Sequence, residues 1–239
     1  MKMFRRLELQ RGLSDRGMDS GTLEALKWLA VVSMTLDHVN RHLLGSAYPT
    51  LFLMGRFAMP MFALILAYNL ARPGVMANET AVRVLQRLIP FAVVSSLPYM
   101  ELNLGPIGWR PLNILFTLAA GTACVILLER PTLARQIAAI SLFGIAGYLV
   151  EYGWVGLGIF LCGWHFFRSP GLVWAIALLS FMLLLRIENG NFWALSVLPA
   201  FWLGFYVKIR FPRWRNALYV YYPLHLVVIV ALKIMVFGN

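Results

Sequence analysis

Apolar residues form long blocks along this chain, and polar residues gather in the short stretches between them. About nine blocks are long enough, or nearly so, to cross roughly 30 Å of hydrocarbon as helices. The pattern therefore predicts an all-α, polytopic helical membrane protein with about nine transmembrane helices. Residues 151–153 are the weakest boundary, which leaves eight or ten spans open. The blocks cover approximately residues 23–44, 50–71, 84–100, 113–129, 135–151, 153–167, 170–187, 192–207 and 217–237.

The connections between these blocks are short and rich in Pro, Gly and Arg, as in RPGV, GPIGWRP, ERPT, RSPG and RFPRWR. No internal repeat is evident, so the spans are expected to form one domain. The sequence therefore predicts a basic cytoplasmic tail over residues 1–22 and a single transmembrane domain over residues 23–239.

Lysine and arginine are distributed unevenly between alternate connections. Counted from the N-terminal tail, one set of connections holds 15 of them and the opposite set holds 3. Cytoplasmic loops carry the excess of positive charge, so the N-terminus is predicted to be cytoplasmic and, with nine spans, the C-terminus outside. The first set is Lys2, Arg5, Arg6, Arg11, Arg16, Arg72, Arg83, Arg87, Arg130, Arg135, Arg168, Lys208, Arg210, Arg213 and Arg215; the second is Arg41, Arg110 and Arg186.

The composition supports a membrane protein and argues against nucleic-acid binding. Hydrophobic residues make up 60% of the 239 positions and charged residues only 13%, whereas soluble domains carry about 25% charged residues. The net charge is +11, and most of the basic residues that produce it lie between the apolar runs. At these positions they orient membrane spans and do not indicate nucleic-acid binding. Cys124 and Cys162 both fall inside apolar runs without metal-ligand spacing, so they are interpreted as packing thiols.

Several ionisable residues interrupt the first apolar block, which reads LKWLAVVSMTLDHVNRHLLG. Each such residue near a helix centre costs about 2.5–3.5 kcal/mol on insertion scales and so calls for a partner or a function. Residues four apart stack on a helix, so Asp37 is expected to face Arg41, and His38 to face His42. Asp37 is badly placed to orient its neighbour His38, and a residue that orients His38 is expected from another span.

Further polar side chains map to the outer half of the predicted bundle. Arg56 lies just over one turn into the second block, between Gly55 and the helix-bending Pro60. A buried arginine keeps its charge and needs an anion, from Asp37, Glu151 or a ligand. The remaining candidates lie in the third outer connection, at the start of the fourth span, in the connection after the fifth span, and near the middle of the last span: Arg110, Asn113, Glu151, Tyr222 and His225.

Structural interpretations compete with the functional ones. Asp37 and Arg41 could form a plain ion pair, and Arg56 could extend its charged end to the interface. His42 and His165 lie near span ends, where an interfacial role is favoured over a catalytic one. His38 and His225 resist such interpretations best, because both lie well inside their spans.

The polar side chains inside the predicted spans favour histidine-assisted chemistry. A histidine can take a proton from a nucleophile or accept an acyl group, and an arginine can hold a phosphate or a developing oxyanion. The sequence lacks HExxH, clustered cysteines, GxSxG, Walker A and GxGxxG patterns, which counts against metal, lipase, ATPase and dinucleotide chemistry. Group transfer inside a membrane cavity and proton-coupled transport through it both stay open.

Five segments resemble the TraX family of conjugation proteins, in order, from about residue 22 to the C-terminus. They are LKWLAVVSMTLDHVNRHLLG, YPTLFLMGRFAMPMFALILAYNLAR, PLNILFTLAAGTA, EYGWVGLGIFL and YVYYPLHLVVI, of which TLDH and GRFAMPMFA are the most specific. The resemblance implies N-terminal acetylation of the pilin of F-type conjugative pili, in the bacterial inner membrane. It also implies a relation to integral-membrane acyltransferases, whose first span typically ends in a functional histidine, here His38.

The resemblance also implies roles for the candidate residues. Acetyl-CoA would be the donor substrate and a pilin the acceptor, without a metal. His38 would be the base or a transient acetyl carrier, and Asp37 a positioning residue. Arg56 would bind the thioester oxygen or a CoA phosphate, while the inner-loop arginines would hold the nucleotide. The expected substrate-binding residues are His225, Tyr222, Asn113, Glu151 and Arg110.

Three alternatives to pilin acetylation stay open at this point. A same-family enzyme could acetylate a hydroxyl of an envelope polysaccharide. A proton-coupled transporter or conduit could use the same polar residues for binding alone, although the paired inverted repeats of many transporters are not seen in this sequence. A purely structural partner in a secretion apparatus is the third alternative.

Overall fold

The computed structural model of the chain describes residues 17–103, 110–214 and 216–238. These residues form ten α-helices and one short 3₁₀-helix, so the predicted all-helical fold is confirmed. The helices are α1 (Ser20–His42), α2 (Pro49–Gly55), α3 (Ala58–Ala71), α4 (Thr80–Leu102), α5 (Ile114–Leu128), α6 (Leu133–Leu149), α7 (Gly153–Arg168), α8 (Leu172–Asn189), a 3₁₀-helix (Trp193–Ser196), α9 (Val197–Leu203) and α10 (Ala217–Phe237).

Four helical segments of the described chain are long and apolar enough to cross a membrane. They are Pro49–Ala71, which joins α2 and α3, together with α4, α8 and α10. The apolar helices α5 and α6 and the segment Trp193–Leu203 are shorter, and α1 has 23 residues but carries the polar cluster. The helices follow the nine predicted blocks in order, while nine complete crossings stay a prediction.

Helix α3 lies at the centre of the bundle. It packs most extensively against α7 and also contacts α1, α5 and α9. Small residues permit the close contact with α7: a Cβ at Gly163 would lie 2.9 Å from Leu64 Cδ2 and 3.6 Å from Ala67 Cβ. Small residues let helix backbones approach closely where apolar surroundings provide no hydrophobic driving force.

Large apolar side chains cover much of the outer surface. Leu97, Ile140, Ile187 and Met235 are between 72% and 80% exposed and lie on α4, α6, α8 and α10, respectively. Contiguous apolar surface of this extent is rare on soluble monomers and is expected where helices face lipid. The exterior therefore fits a multi-pass membrane protein.

The second predicted span is broken at residues 56–57, between α2 and α3. The N–H groups of Arg56 and Phe57 donate to the carbonyls of Leu53 and Met54, each at 3.1 Å, which tightens the chain into a turn. Pro60 accounts for the location, because its ring clashes with the carbonyl four residues earlier and its missing N–H leaves that carbonyl unpaired. That carbonyl belongs to Arg56, so the bend falls on the candidate site residue.

Helix α1 begins at Ser20, three residues before the predicted start of the first span. The Asp19 carboxylate accepts from the N–H groups of Gly21 and Thr22 at 2.9 and 3.4 Å, an N-cap that satisfies the free amides of the first turn. The Thr22 hydroxyl donates to the Val207 carbonyl at 2.8 Å. Within the predicted tail 1–22, residues 1–16 with all five of its basic residues lie outside the described residues.

Candidate active site

A small polar cavity of about 60 Å³ opens where α1, the bend between α2 and α3, the end of α4 and the connection between α6 and α7 meet α10. Typical small-molecule pockets are about 300–1,000 Å³, so this cavity has room for a few water molecules or a reacting group, not for a whole cofactor. Its lining is Met34, Asp37, His38, Arg41, His42, Gly55, Arg56, Ala58, Met59, Tyr99, Asn103, Ile114, Glu151, Tyr152 and Tyr222.

Arg56 is anchored at this cavity by three separate acceptors. Its Nη2 donates to Asp37 Oδ2, its Nη1 to Asn189 Oδ1 at 3.2 Å, and its Nε to the Phe52 carbonyl at 3.3 Å. Asp37 is therefore the anion for Arg56, one of the three sources that the sequence left open. Arg41 lines the same cavity but forms no salt bridge with Asp37 among the described residues. A guanidinium carries five N–H donors, so two N–H groups of Arg56 have no acceptor among the described residues.

Gly55 lets the Asp37 side chain reach this arginine. A Cβ at Gly55 would lie 2.3 Å from Asp37 Cβ and 2.5 Å from its Cγ, distances that real side chains do not tolerate. The absence of a side chain at Gly55 therefore makes room for the Asp37 side chain beside Arg56.

His38 forms a direct contact with a histidine of the last helix. His38 Nδ1 lies 3.0 Å from His225 Nε2, and the two ring planes are nearly parallel at 8° with centroids 5.2 Å apart. On its other side His225 Nδ1 lies 3.1 Å from the carbonyl of Tyr221, and His42 meets His38 edge-on at 6.1 Å. The side chain that contacts His38 thus comes from another span, and it is a histidine rather than a carboxylate.

Glu151 enters the cavity from the connection between α6 and α7, outside both helices. Its N–H donates to the Leu112 carbonyl and its carbonyl accepts from the Thr117 hydroxyl, both at 2.8 Å. The next residue, Tyr152, has φ of 60°, a left-handed conformation that costs a non-glycine residue energy and is frequent at functional sites. Burial raises the pKa of the Glu151 carboxyl from its usual 4.5 to about 7.

Arg110 and Asn113 lie close to this region but do not line the cavity. Arg110 Nη2 donates to the Tyr148 carbonyl at 2.7 Å, and its guanidinium lies 3.6 Å from the centre of the Tyr148 ring. Asn113 caps α5, and its Nδ2 donates to the Ala92 carbonyl at 2.9 Å and to Ser96 Oγ at 3.4 Å. Asn113 directly precedes Ile114, which lines the cavity, whereas Arg110 contacts Tyr148 outside the lining.

Three polar or aromatic residues at the site were not singled out from the sequence. Tyr99 and Asn103 line the cavity, and Asn189 binds Arg56. Tyrosines near span ends are typical of the interfacial belt, so Tyr99 was not distinguished from them. The two asparagines are uncharged and lie at helix ends, so nothing in their local sequence distinguished them from ordinary turn residues.

A larger hollow of about 650 Å³ opens on the outer face of α8. It contains none of the predicted site residues, and its wall is mainly apolar: Ser180, Leu183, Leu184, Arg186, Ile187, Gly190 and Phe192. The smaller cavity is therefore the candidate site for chemistry on a polar substrate.

One protein-family model matches nearly the whole of this chain. The family described as TraX protein matches residues 22–233, a range that includes every residue lining the cavity. This chain belongs to the TraX family. Two relatives of this TraX-family chain, both named Protein TraX, come from Escherichia coli and from its strain K12.

The two relatives are 29% and 30% identical to this chain over 165 residues. That match covers 68% of this chain and 63% of each relative, so it spans less than two thirds of the relatives' own length. No solved structure matches this chain.

Proposed function

We propose that this TraX-family protein is a multi-pass acetyltransferase of the bacterial inner membrane. It moves an acetyl group from cytoplasmic acetyl-CoA to the N-terminal amine of a conjugative pilin. The observation that carries the proposal is the convergence of His38, the anchored Arg56 and Glu151 on one small polar cavity among apolar helices. A base, an oxyanion-binding cation and a carboxylate are the groups that amine acylation needs.

The reaction assigns His38 the proton transfers. An α-ammonium group has a pKa of about 7.7–8.0, so near neutral pH it loses one proton to the solvent before it becomes nucleophilic. The amine nitrogen then attacks the thioester carbonyl carbon; the C–N bond forms and the C–S bond breaks. His38 takes the second proton from the nitrogen and returns it to the departing thiolate, which leaves as the free thiol of CoA.

The proposed role of Arg56 is to stabilise the negative charge of the transition state. During the attack, negative charge develops on the thioester oxygen, and preorganised donors at that point lower the barrier. Two N–H groups of Arg56 are free of acceptors among the described residues, while Asp37, Asn189 and Phe52 keep its fork oriented. Asp37 therefore acts on the reaction through Arg56 and not through its neighbour His38.

Glu151 favours an amine as the acceptor. A carboxylate in the same cavity as the base attracts an ammonium group, whereas a neutral polysaccharide hydroxyl gains nothing from its charge. Tyr222 and Tyr99 close the remaining wall. Acylation of a polysaccharide hydroxyl would use the same base and the same arginine, so Glu151 is the residue that separates the two functions.

Acetyl-CoA fits this arrangement only in part. The cavity of about 60 Å³ accommodates the acetyl thioester end, so the nucleotide must lie outside it, against the basic connections that the charge pattern places in the cytoplasm. Arg168 is paired there with Glu129. Arg72, Arg87 and Arg130 form no salt bridge among the described residues, which makes them the better candidates for the CoA phosphates.

The test is the intact mass of a matched pilin expressed with this protein in cells. Wild-type protein is expected to add one acetyl group at the pilin N-terminus. Loss of the base in His38→Ala should reduce the rate by roughly 10²–10⁴-fold. His165→Ala is the control, because His165 stacks on Trp174 away from the cavity. An unmodified pilin in the presence of wild-type protein would contradict the assigned acceptor.

A further inference from the structure

The Tyr221 carbonyl determines where the protons lie in the His38–His225 pair. A carbonyl only accepts, so the contact of 3.1 Å requires a hydrogen on His225 Nδ1. A neutral imidazole carries a single N–H, so His225 Nε2 is the acceptor. The contact of 3.0 Å between the rings then requires that His38 Nδ1 donate, and the lone pair of His38 lies on Nε2.

We infer that His225 is a positioning residue that holds His38 in the Nδ1–H tautomer and thereby makes Nε2 the base. His38 lines the cavity, and its Nε2 has no hydrogen-bond partner among the described residues. A residue that orients a catalytic imidazole through its other nitrogen sets which nitrogen is basic. The tautomer follows from the geometry alone, whereas its catalytic consequence rests on the proposed function.

A second contact between the same two helices fixes the position of the His225 ring. Thr35 Oγ1 donates to the Val31 carbonyl at 2.8 Å, so the Tyr221 hydroxyl is the donor in its 2.8 Å contact with Thr35. The Tyr221 ring stacks on the His225 ring with centroids 5.3 Å apart and planes at 7°. The side chain and the carbonyl of one residue thus hold His225 against α1.

The arrangement also serves the second half of the reaction. When Nε2 takes a proton, His38 becomes a cation, and its Nδ1–H still points at the His225 acceptor. A hydrogen bond from a charged donor is stronger than one between neutral groups. The contact therefore tightens while the cation exists, and the ring does not need to turn before it returns the proton.

The test is solid-state ¹⁵N NMR of the full chain in lipid bilayers, with labelled histidine. The chain has four histidines, so signals can be assigned by single substitutions. At neutral pH, His38 is expected to show a protonated Nδ1 and an unprotonated Nε2. The opposite tautomer would overturn the inference.

Substitutions at His225 separate positioning from simple packing. In His225→Gln an amide oxygen can still accept from His38 Nδ1, so the tautomer and most of the activity should remain. In His225→Leu both tautomers become populated, and kcat should fall by roughly 10²-fold, within the range of a lost general base, while KM stays nearly unchanged. Thr35→Val removes the hydrogen bond between Thr35 and Tyr221 but keeps both the Tyr221 carbonyl and the His225 acceptor, so the tautomer should stay intact.

The outcomes distinguish this inference from the proposed function. An unchanged His38 tautomer in His225→Leu, or an equal shift in Thr35→Val, would overturn the positioning role. If the His225→Leu protein does not fold, the spectra of the wild type and of His225→Gln still test the positioning role. A change of the His38 tautomer in His225→Gln would contradict that role. The expected tautomer without any acetyl transfer by wild-type protein would instead refute the proposed reaction and leave the assignment of the protons standing.

Discussion

Arg56 meets three acceptors of different kinds, a carboxylate, an amide and a backbone carbonyl. Only the planar guanidinium, with its five N–H donors, can satisfy these acceptors together and still present N–H groups to a ligand. The lysine ammonium is a point charge on a flexible stem, and it cannot reproduce these directions. The geometry of the site therefore depends on the shape of the guanidinium as well as on its charge.

Arg56→Lys is accordingly expected to lower kcat for acetyl transfer by roughly 10²-fold, the cost of removing one oxyanion donor. The measurement is single-turnover acetylation with purified protein in bilayers. Arg186→Lys is a matched control, since Arg186 lies over the ring of Phe192 and outside the cavity. Full activity of Arg56→Lys would refute a contact between the Arg56 guanidinium and the substrate oxygen.

Glu151 is expected to make the folded protein less stable as the pH rises, the opposite of what most paired carboxylates do. Its pKa is raised by burial from 4.5 to about 7, so the folded state holds this proton more tightly than the unfolded state does. Its contribution to the free energy of unfolding is therefore greatest below pH 4.5 and is lost as the pH rises towards 7.

We expect Glu151→Gln to remove this fall in stability between pH 4.5 and about 7. Thermal unfolding in detergent at a series of pH values provides the measurement. Glu101→Gln is the control, because Glu101 is an exposed carboxylate at the end of α4. A pH dependence that persists unchanged in Glu151→Gln would show that another group is responsible.

At the scale of the elements, the site depends on a close approach between α1 and the end of α2. Gly55→Ala would place a Cβ 2.3 Å from Asp37 Cβ, forcing the carboxylate away from Arg56. The expected cost is about 1–3 kcal/mol of stability, typical of overpacking, together with a loss of activity. Thermal unfolding and acetyl transfer measure the two effects.

Gly144→Ala is the matched control for this substitution. A Cβ there meets nothing within 4 Å, and alanine favours the helix by about 1 kcal/mol over glycine. A Gly55→Ala protein as stable and active as Gly144→Ala would contradict the tight contact between α1 and α2.

The helices could be predicted from the sequence because each apolar block carries its own signal. The pairing of their polar residues could be predicted only as alternatives, since it depends on which helices become neighbours. The sequence offered both Arg41 and Arg56 as partners for Asp37, and the turn before Pro60 brings Arg56 to it. A partner for His38 from another span was expected, yet only the packing of α10 against α1 identifies it as His225.

For the whole molecule, the apolar exterior and the uneven basic charge predict one orientation. Nine spans with a cytoplasmic N-terminus place the C-terminus outside. Reporter fusions are expected to show the connection after α3 inside and the end of α10 outside. The same side for both would contradict nine crossings.

The proposed acetyl transfer requires acetyl-CoA to arrive from the cytoplasmic side of the membrane and the pilin amine from the opposite side. The most direct measurement uses sealed liposomes with the purified protein in a single orientation, acetyl-CoA at the cytoplasmic face and a pilin N-terminal peptide inside. We expect N-acetylated peptide inside liposomes that carry the wild-type protein and almost none with His38→Ala. Equal acetylation with both proteins, or acetylation only when donor and peptide share one side, would contradict it.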